Sequence, residues 1–196
     1  MQACRLSADD LACRRGDRVL FRGLSFALNA GEALQVRGVN GCGKSSLIRI
    51  LGGMLRAEGG SVERQGAIGL VDEHSALDPS LPLGRSLGFW AGLDGLGFLA
   101  RESCTDRMGL TDLLDVPVRY LSTGQAKRAA LARLVGQGAP VWLLDEPLNG
   151  LDAAGVALVE ALVAEHCFNG GICVIASHQP VALPGVRQLI LAEFAP

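Results

Sequence analysis

The chain reads as an α/β protein with a mixed β-sheet core and an inserted helical subdomain, and three observations predict this. Continuous apolar runs of strand length, Val141–Leu144 and Ile172–Ala176, flank the helix-length segment Ala153–Cys167, the pattern of parallel strands buried on both faces. From Arg5 to Val71, short apolar stretches such as Val19–Leu28, Ala33–Val36 and Ile68–Val71 read as strands, interrupted by one helix over Lys44–Leu55. From His74 to Gly138 there are no β-branched runs, and the text breaks into short helices at Gly and Pro. One domain over 1–196 is therefore expected, with 1–72 and 139–196 as its core and 73–138 as the helical subdomain.

A length of 196 residues suffices for one sizeable core, and 49% hydrophobic residues exclude a disordered chain. The formal net charge of −2 leaves no basic footprint, so no nucleic-acid partner is expected. No window approaches the ~20 uninterrupted apolar residues of a bilayer span. Arg5, Asp9 and Asp10 near the start leave no secretory h-region, and a cytoplasmic chain is expected. Six cysteines lie scattered, without C-x-x-C or zinc spacing, and read as reduced thiols.

After the strand Ala33–Val36 comes Gly38-Val39-Asn40-Gly41-Cys42-Gly43-Lys44-Ser45, a full match to G-x-x-x-x-G-K-[ST] that opens a helix. Glycines allow successive backbone N–H groups to turn inward around a β-phosphate, and the helix N-terminus adds a positive dipole end. Lys44 would reach the β- and γ-phosphates and the Ser45 hydroxyl would ligate Mg²⁺. Ser46, next in the helix, counts with this nucleotide-binding loop.

The strand Val141–Leu144 ends in Asp145-Glu146. Buried strands rarely finish in adjacent carboxylates unless a cation or a substrate proton accounts for them. Asp145 fits a Mg²⁺ ligand, as in other ATPases with this loop, and Glu146 fits the base that polarises the attacking water.

About twenty residues before Asp145 stands Leu121-Ser122-Thr123-Gly124-Gln125, followed by a basic, alanine-rich helix over Ala126–Val135. Ser122 by itself is also an ordinary helix N-cap. The pentapeptide resembles the L-S-G-G-Q signature of ABC ATPases, with Thr123 in place of the first glycine. That resemblance implies a helix N-terminus carrying Ser122, Gly124 and Gln125 that meets the γ-phosphate of a second copy of the chain, giving an ATP-sandwich dimer. Asn149-Gly150-Leu151-Asp152 stands where the family's D-loop crosses the dimer interface. His178, after the strand Ile172–Ala176, matches the family's switch histidine.

Two positions depart from that family. His74, in Asp72-Glu73-His74-Ser75, aligns with a glutamine that senses Mg²⁺ and relays to the membrane subunit. Imidazole offers a hydrogen bond to a metal-bound water but no amide carbonyl. Arg15 takes the place of the aromatic that stacks on adenine; a guanidinium can stack there, and a plain surface charge fits the position equally.

The segments Asp115–Arg119, Gly155–Leu158, Ala164–His166, Gly170-Gly171 and Ser177–Pro180 are similar to those of the ATP-binding subunit of bacterial cytochrome c maturation, the haem exporter ATPase. This likeness implies ATP and Mg²⁺ as cofactors and an integral membrane permease as partner. It also implies a peripheral position on the cytoplasmic face of the inner membrane and no direct contact with haem. The alternative is an ATPase subunit of another small importer or exporter of metal, amino acid or lipid. A soluble ABC ATPase acting on ribosome or DNA fits less well: the first carries two cassettes per chain, and the second a long coiled coil between loop and signature.

Overall fold

The computed structural model describes residues 4–73, 75–95 and 98–195. The expected mixture of strand directions is divided between two sheets. Strands β1 (Arg5–Arg15), β2 (Arg18–Asn29) and β4 (Gly59–Gln65) form an antiparallel sheet in the order β2-β1-β4. Strands β3 (Ala33–Arg37), β5 (Ile68–Val71), β6 (Val141–Asp145), β7 (Ile172–Ala176) and β8 (Arg187–Ile190) form a parallel sheet in the order β5-β6-β7-β3-β8.

Burial of β6 and β7 at every residue explains their unbroken apolar text. Successive side chains go to opposite faces. Val141, Leu143, Ile172 and Val174 join one core with β1, β2 and helix α1 (Lys44–Leu51). Trp142, Leu144, Cys173 and Ile175 join a second core against helices α4 (Thr123–Gln137) and α5 (Ala153–Phe168). Truncating a leucine in either layer to alanine costs about 2–5 kcal/mol.

Helix α1 stops four residues short of the expected Leu55. Gly52 and Gly53 follow Leu51, Gly53 at φ 77°, and their low helix propensity ends the run. Between β5 and β6 lie α2 (Leu83–Asp94), α3 (Phe98–Arg107), two 3₁₀ turns (Thr111–Leu113 and Val118–Tyr120) and α4. Helix α4 begins at Thr123, earlier than the alanine-rich run alone suggests, because Ser122 and Gln125 close a capping box on its first turn. Among the described residues no helix is long and apolar enough to cross a membrane.

Sheet order brings the motifs together. β6, β7 and β3 are neighbours, with Asp145 opposite Ala176 and Ala176 opposite Val36. The segments leaving their carboxyl ends are the phosphate loop, Asp145-Glu146 and Ser177-His178. They therefore share one edge, where open parallel sheets place their ligands.

Candidate functional site

The phosphate loop is pinned on both sides. Gly43, the residue before α1, has φ 114°, and a Cβ there would fall 3.2 Å from Leu20 Cβ and 3.3 Å from a ring carbon of Phe21. Only glycine lets the loop lie this close to β2. Lys44 is buried, and its ammonium donates to the carbonyls of Gly38 at 2.9 Å and Val39 at 3.4 Å. Asn40, Gly41, Gly43, Lys44, Ser45 and Ser46 wall a cavity of about 310 Å³ with Leu20, Glu73, Glu146 and Asn149.

Glu146 is the meeting point. Lys44 Nζ stands 3.1 Å from its Oε1, an ion pair off the hydrogen-bond line. His178 Nδ1 lies 2.9 Å from Oε2, and the His178 backbone N–H donates to the same oxygen at 3.4 Å. Its own N–H donates to Ala176 of β7 at 2.8 Å. The residue sits at φ 46°, a left-handed conformation that costs a non-glycine side chain about 1–3 kcal/mol and collects at functional sites. Three segments thus converge on one carboxylate.

Asp145 is 2% exposed. Burial raises its pKa above the ordinary carboxylate range; a hydrogen bond from Ser45 opposes this, and the charges of Glu146, Glu73 and Asp72 add to the rise. Its Oδ1 has no hydrogen-bond partner. A buried carboxylate oxygen without a donor, beside a serine hydroxyl and several other acids, suits a hard cation. Among the described residues no three His, Cys, Asp or Glu converge as metal ligands. A cation here would rest on Ser45, Asp145 and substrate phosphates, the usual manner of Mg²⁺.

The signature residues stand apart from this cavity. Ser122, Gly124 and Gln125 do not wall it, and the side chains of Ser122 and Gln125 are engaged in the capping box. Thr123 packs against Gly150, and the Asp152 side chain caps α5 by accepting from the Gly155 N–H at 2.8 Å. Arg15 ends β1 opposite Arg18 and walls neither this cavity nor the one of about 630 Å³ beyond the loop, which Arg18, Val39 and Cys42 help to line. Gly38 lies over the Cys42 thiol, and burial raises the pKa of the Cys13 thiol while Ser46 opposes the rise. His74 lies outside the described residues. Glu73, its neighbour, and Lys127 of α4 face the strand end without having been singled out from sequence.

The family model for ABC transporters matches residues 21–149, from β2 through the strand-end carboxylates. The chain belongs to the ABC transporter family. It is an ATP-binding subunit of that family. It is 58% identical, over the whole of both chains, to the cytochrome c biogenesis ATP-binding export protein CcmA of Novosphingobium aromaticivorans. To the protein of the same name from Sphingopyxis alaskensis it is 51% identical, over 97% of this chain and 98% of the relative. A solved ATP-binding subunit of an ABC transporter superposes with a TM-score of 0.79 at 21% identity, covering 88% of this chain and 79% of the other, a likeness of fold.

Proposed function

We propose that two copies of this chain close around ATP, hydrolyse it and drive an integral membrane permease subunit in haem handling for c-type cytochrome biogenesis. The observation that carries the chemistry is Glu146, held between Lys44 and His178 at the end of β6. Glu146 takes the proton of the attacking water, His178 orients that carboxylate, and Lys44 neutralises phosphate charge. Mg²⁺ bound at Ser45 and Asp145 supplies charge stabilisation on the phosphate oxygens. Ser122, Gly124 and Gln125 serve the partner copy's nucleotide in trans, a reading supported by their separation from the cavity of their own chain. Residues 1–72 and 139–196 act as the ATP-binding core and 73–138 as the helical subdomain.

The likeness over full length to relatives named for cytochrome c biogenesis supports the pathway. The complex sits on the cytoplasmic face of the inner membrane, and no residue of this chain contacts haem. Glu146→Gln tests the core of the reading. It should bind ATP as the parent does, turn over roughly 10² to 10⁴ more slowly, and double its mass by light scattering when ATP is added. Lys44→Ala should weaken binding itself. Parental hydrolysis by Glu146→Gln removes the base assignment, and an unchanged mass with ATP removes the sandwich.

A further inference from the structure

The acidic end of β6 is faced by a cation from outside the ATP core. Lys127 stands on α4, about one turn beyond Gly124. With Asp72, Glu73, Glu146 and Asn149 it walls a cavity of about 430 Å³ between α4 and the ends of β5 and β6. Its ammonium lies within electrostatic reach of four carboxylates, Asp145 most strongly, then Glu73, Asp72 and Glu146. From the far side, Arg49 of α1 pairs with Asp72 at 3.8 Å. A lysine on a helix surface is ordinarily a solvated charge with a packed stem. This one is half-buried, and burial pushes its pKa below the usual lysine range while the four acids pull it back.

We infer that Lys127 is a positioning residue: a fixed counter-cation, carried by the signature helix, that shares the strand-end carboxylates with the divalent ion. The inference rests on the reading of Ser45 and Asp145 as the Mg²⁺ site. Two cations drawing on one carboxylate repel each other, so Lys127 weakens the hold on Mg²⁺. Through the same charges it ties α4, with the signature at its N-terminus, to the core of its own chain. A Mg²⁺ ion that takes over Asp145 loosens the tie, and release of the ion restores it. Nucleotide occupancy thereby changes the force on the helix that must meet the partner copy.

The experiment compares the affinity of a fluorescent ATP analogue in EDTA with its affinity in Mg²⁺ and takes the ratio. The chains compared are the parent, Lys127→Met, which keeps the stem, Lys127→Gln, and Lys127→Arg, which keeps the charge. The Mg²⁺ enhancement should rise about three- to tenfold in both neutral variants and stay within about twofold of the parent in Lys127→Arg. A role in packing alone scales both affinities together and leaves the ratio unmoved. An unchanged or smaller ratio in a folded neutral variant overturns the inference, and with two neutral variants a packing failure in one leaves the other readable. A parent chain whose affinity does not respond to Mg²⁺ overturns instead the metal reading on which the inference stands.

Discussion

Asp145 and Glu146 are adjacent, yet their surroundings differ. Asp145 ends the buried strand, with one oxygen toward Ser45 and one without a donor. Glu146 has turned out of the strand at φ 46° to reach Lys44 and His178. The strand end itself is legible in the sequence, since an apolar strand that ends in two acids after a phosphate loop is where a cation and a proton acceptor are expected. Lys127 is not, because a lysine in a helix following the signature looks like any exposed charge until the fold sets it against β6. For Asp145 the sign of the stability effect follows from burial. Its folded pKa is raised above the unfolded value of 3.8, so the group favours the folded state at low pH and opposes it as pH rises through the folded value. Near neutrality the ionised side chain is a cost. Asp145→Asn should therefore raise Tm without ligands, by about 2–4 °C for each kcal/mol recovered, while losing Mg²⁺-dependent hydrolysis. A lower Tm for this variant in calorimetry would mean that the carboxylate is better satisfied than its surroundings indicate.

Some of the subfamily's signals have mechanical causes at the level of elements. Gly170-Gly171 follows α5 where His166 needs room. The imidazole stacks on Trp142 at 3.8 Å between centroids, and a Cβ on Gly171 would fall 2.2 Å from its Nε2. Nε2 lies 3.2 Å from the Ile172 carbonyl, so α5, β6 and β7 are fastened together at the end of the sheet opposite the phosphate loop. The helix end at Leu51 is hidden in the sequence because apolar spacing continues through Leu55, and the double glycine outweighs it. Strands β4 and β8 are mostly exposed, so the apolar signal that marks a buried strand is weak there. His166 makes the fastening of α5 sensitive to acid. Burial lowers its pKa from 6.5, partly offset by hydrogen bonds to Ile172 and Pro140, so the stability it gives is present above about 6.5 and is lost as pH falls toward the folded value. Thermal melts from pH 7.5 to pH 5.5 should show the parent losing more stability than His166→Gln. Parallel curves would place the acid sensitivity elsewhere.

For the molecule as a whole, force must leave a chain in which no described helix is long and apolar enough to cross a membrane. From sequence the expected docking surface is the groove between the ATP core and the helical subdomain near Leu83–Gly92, where some of Leu87, Phe89 and Trp90 pack inside the subdomain and the rest could receive a partner helix, with Gly88→Glu as the probe. The structure divides that set. Leu87 is buried against the second core and Gly88 is half-buried, whereas Phe89 is 60% exposed and Leu93, one turn on, is 64% exposed. Trp90 backs Phe89: its Nε1 donates to the Ala76 carbonyl at 3.1 Å, the Arg133 guanidinium lies 4.0 Å from its ring centre, and Phe89 meets it edge-on. Rigid backing and two exposed apolar residues at i and i+4 form a surface suited to a short helix of the permease. Phe89→Glu is therefore a better probe than Gly88→Glu. Its charge falls in solvent, so stability should stay within about 0.5 kcal/mol of the parent and the ATPase of the purified chain should change less than about twofold. Binding to the permease should weaken by about thirtyfold or more, the loss typical of a central aromatic contact, and c-type cytochrome assembly should fail. Normal assembly with Phe89→Glu would move the docking surface elsewhere on the chain. Normal assembly with Lys44→Ala as the only copy would remove the cytochrome pathway itself, because the proposed reading gives that variant no effective ATP binding, whatever surface the permease uses.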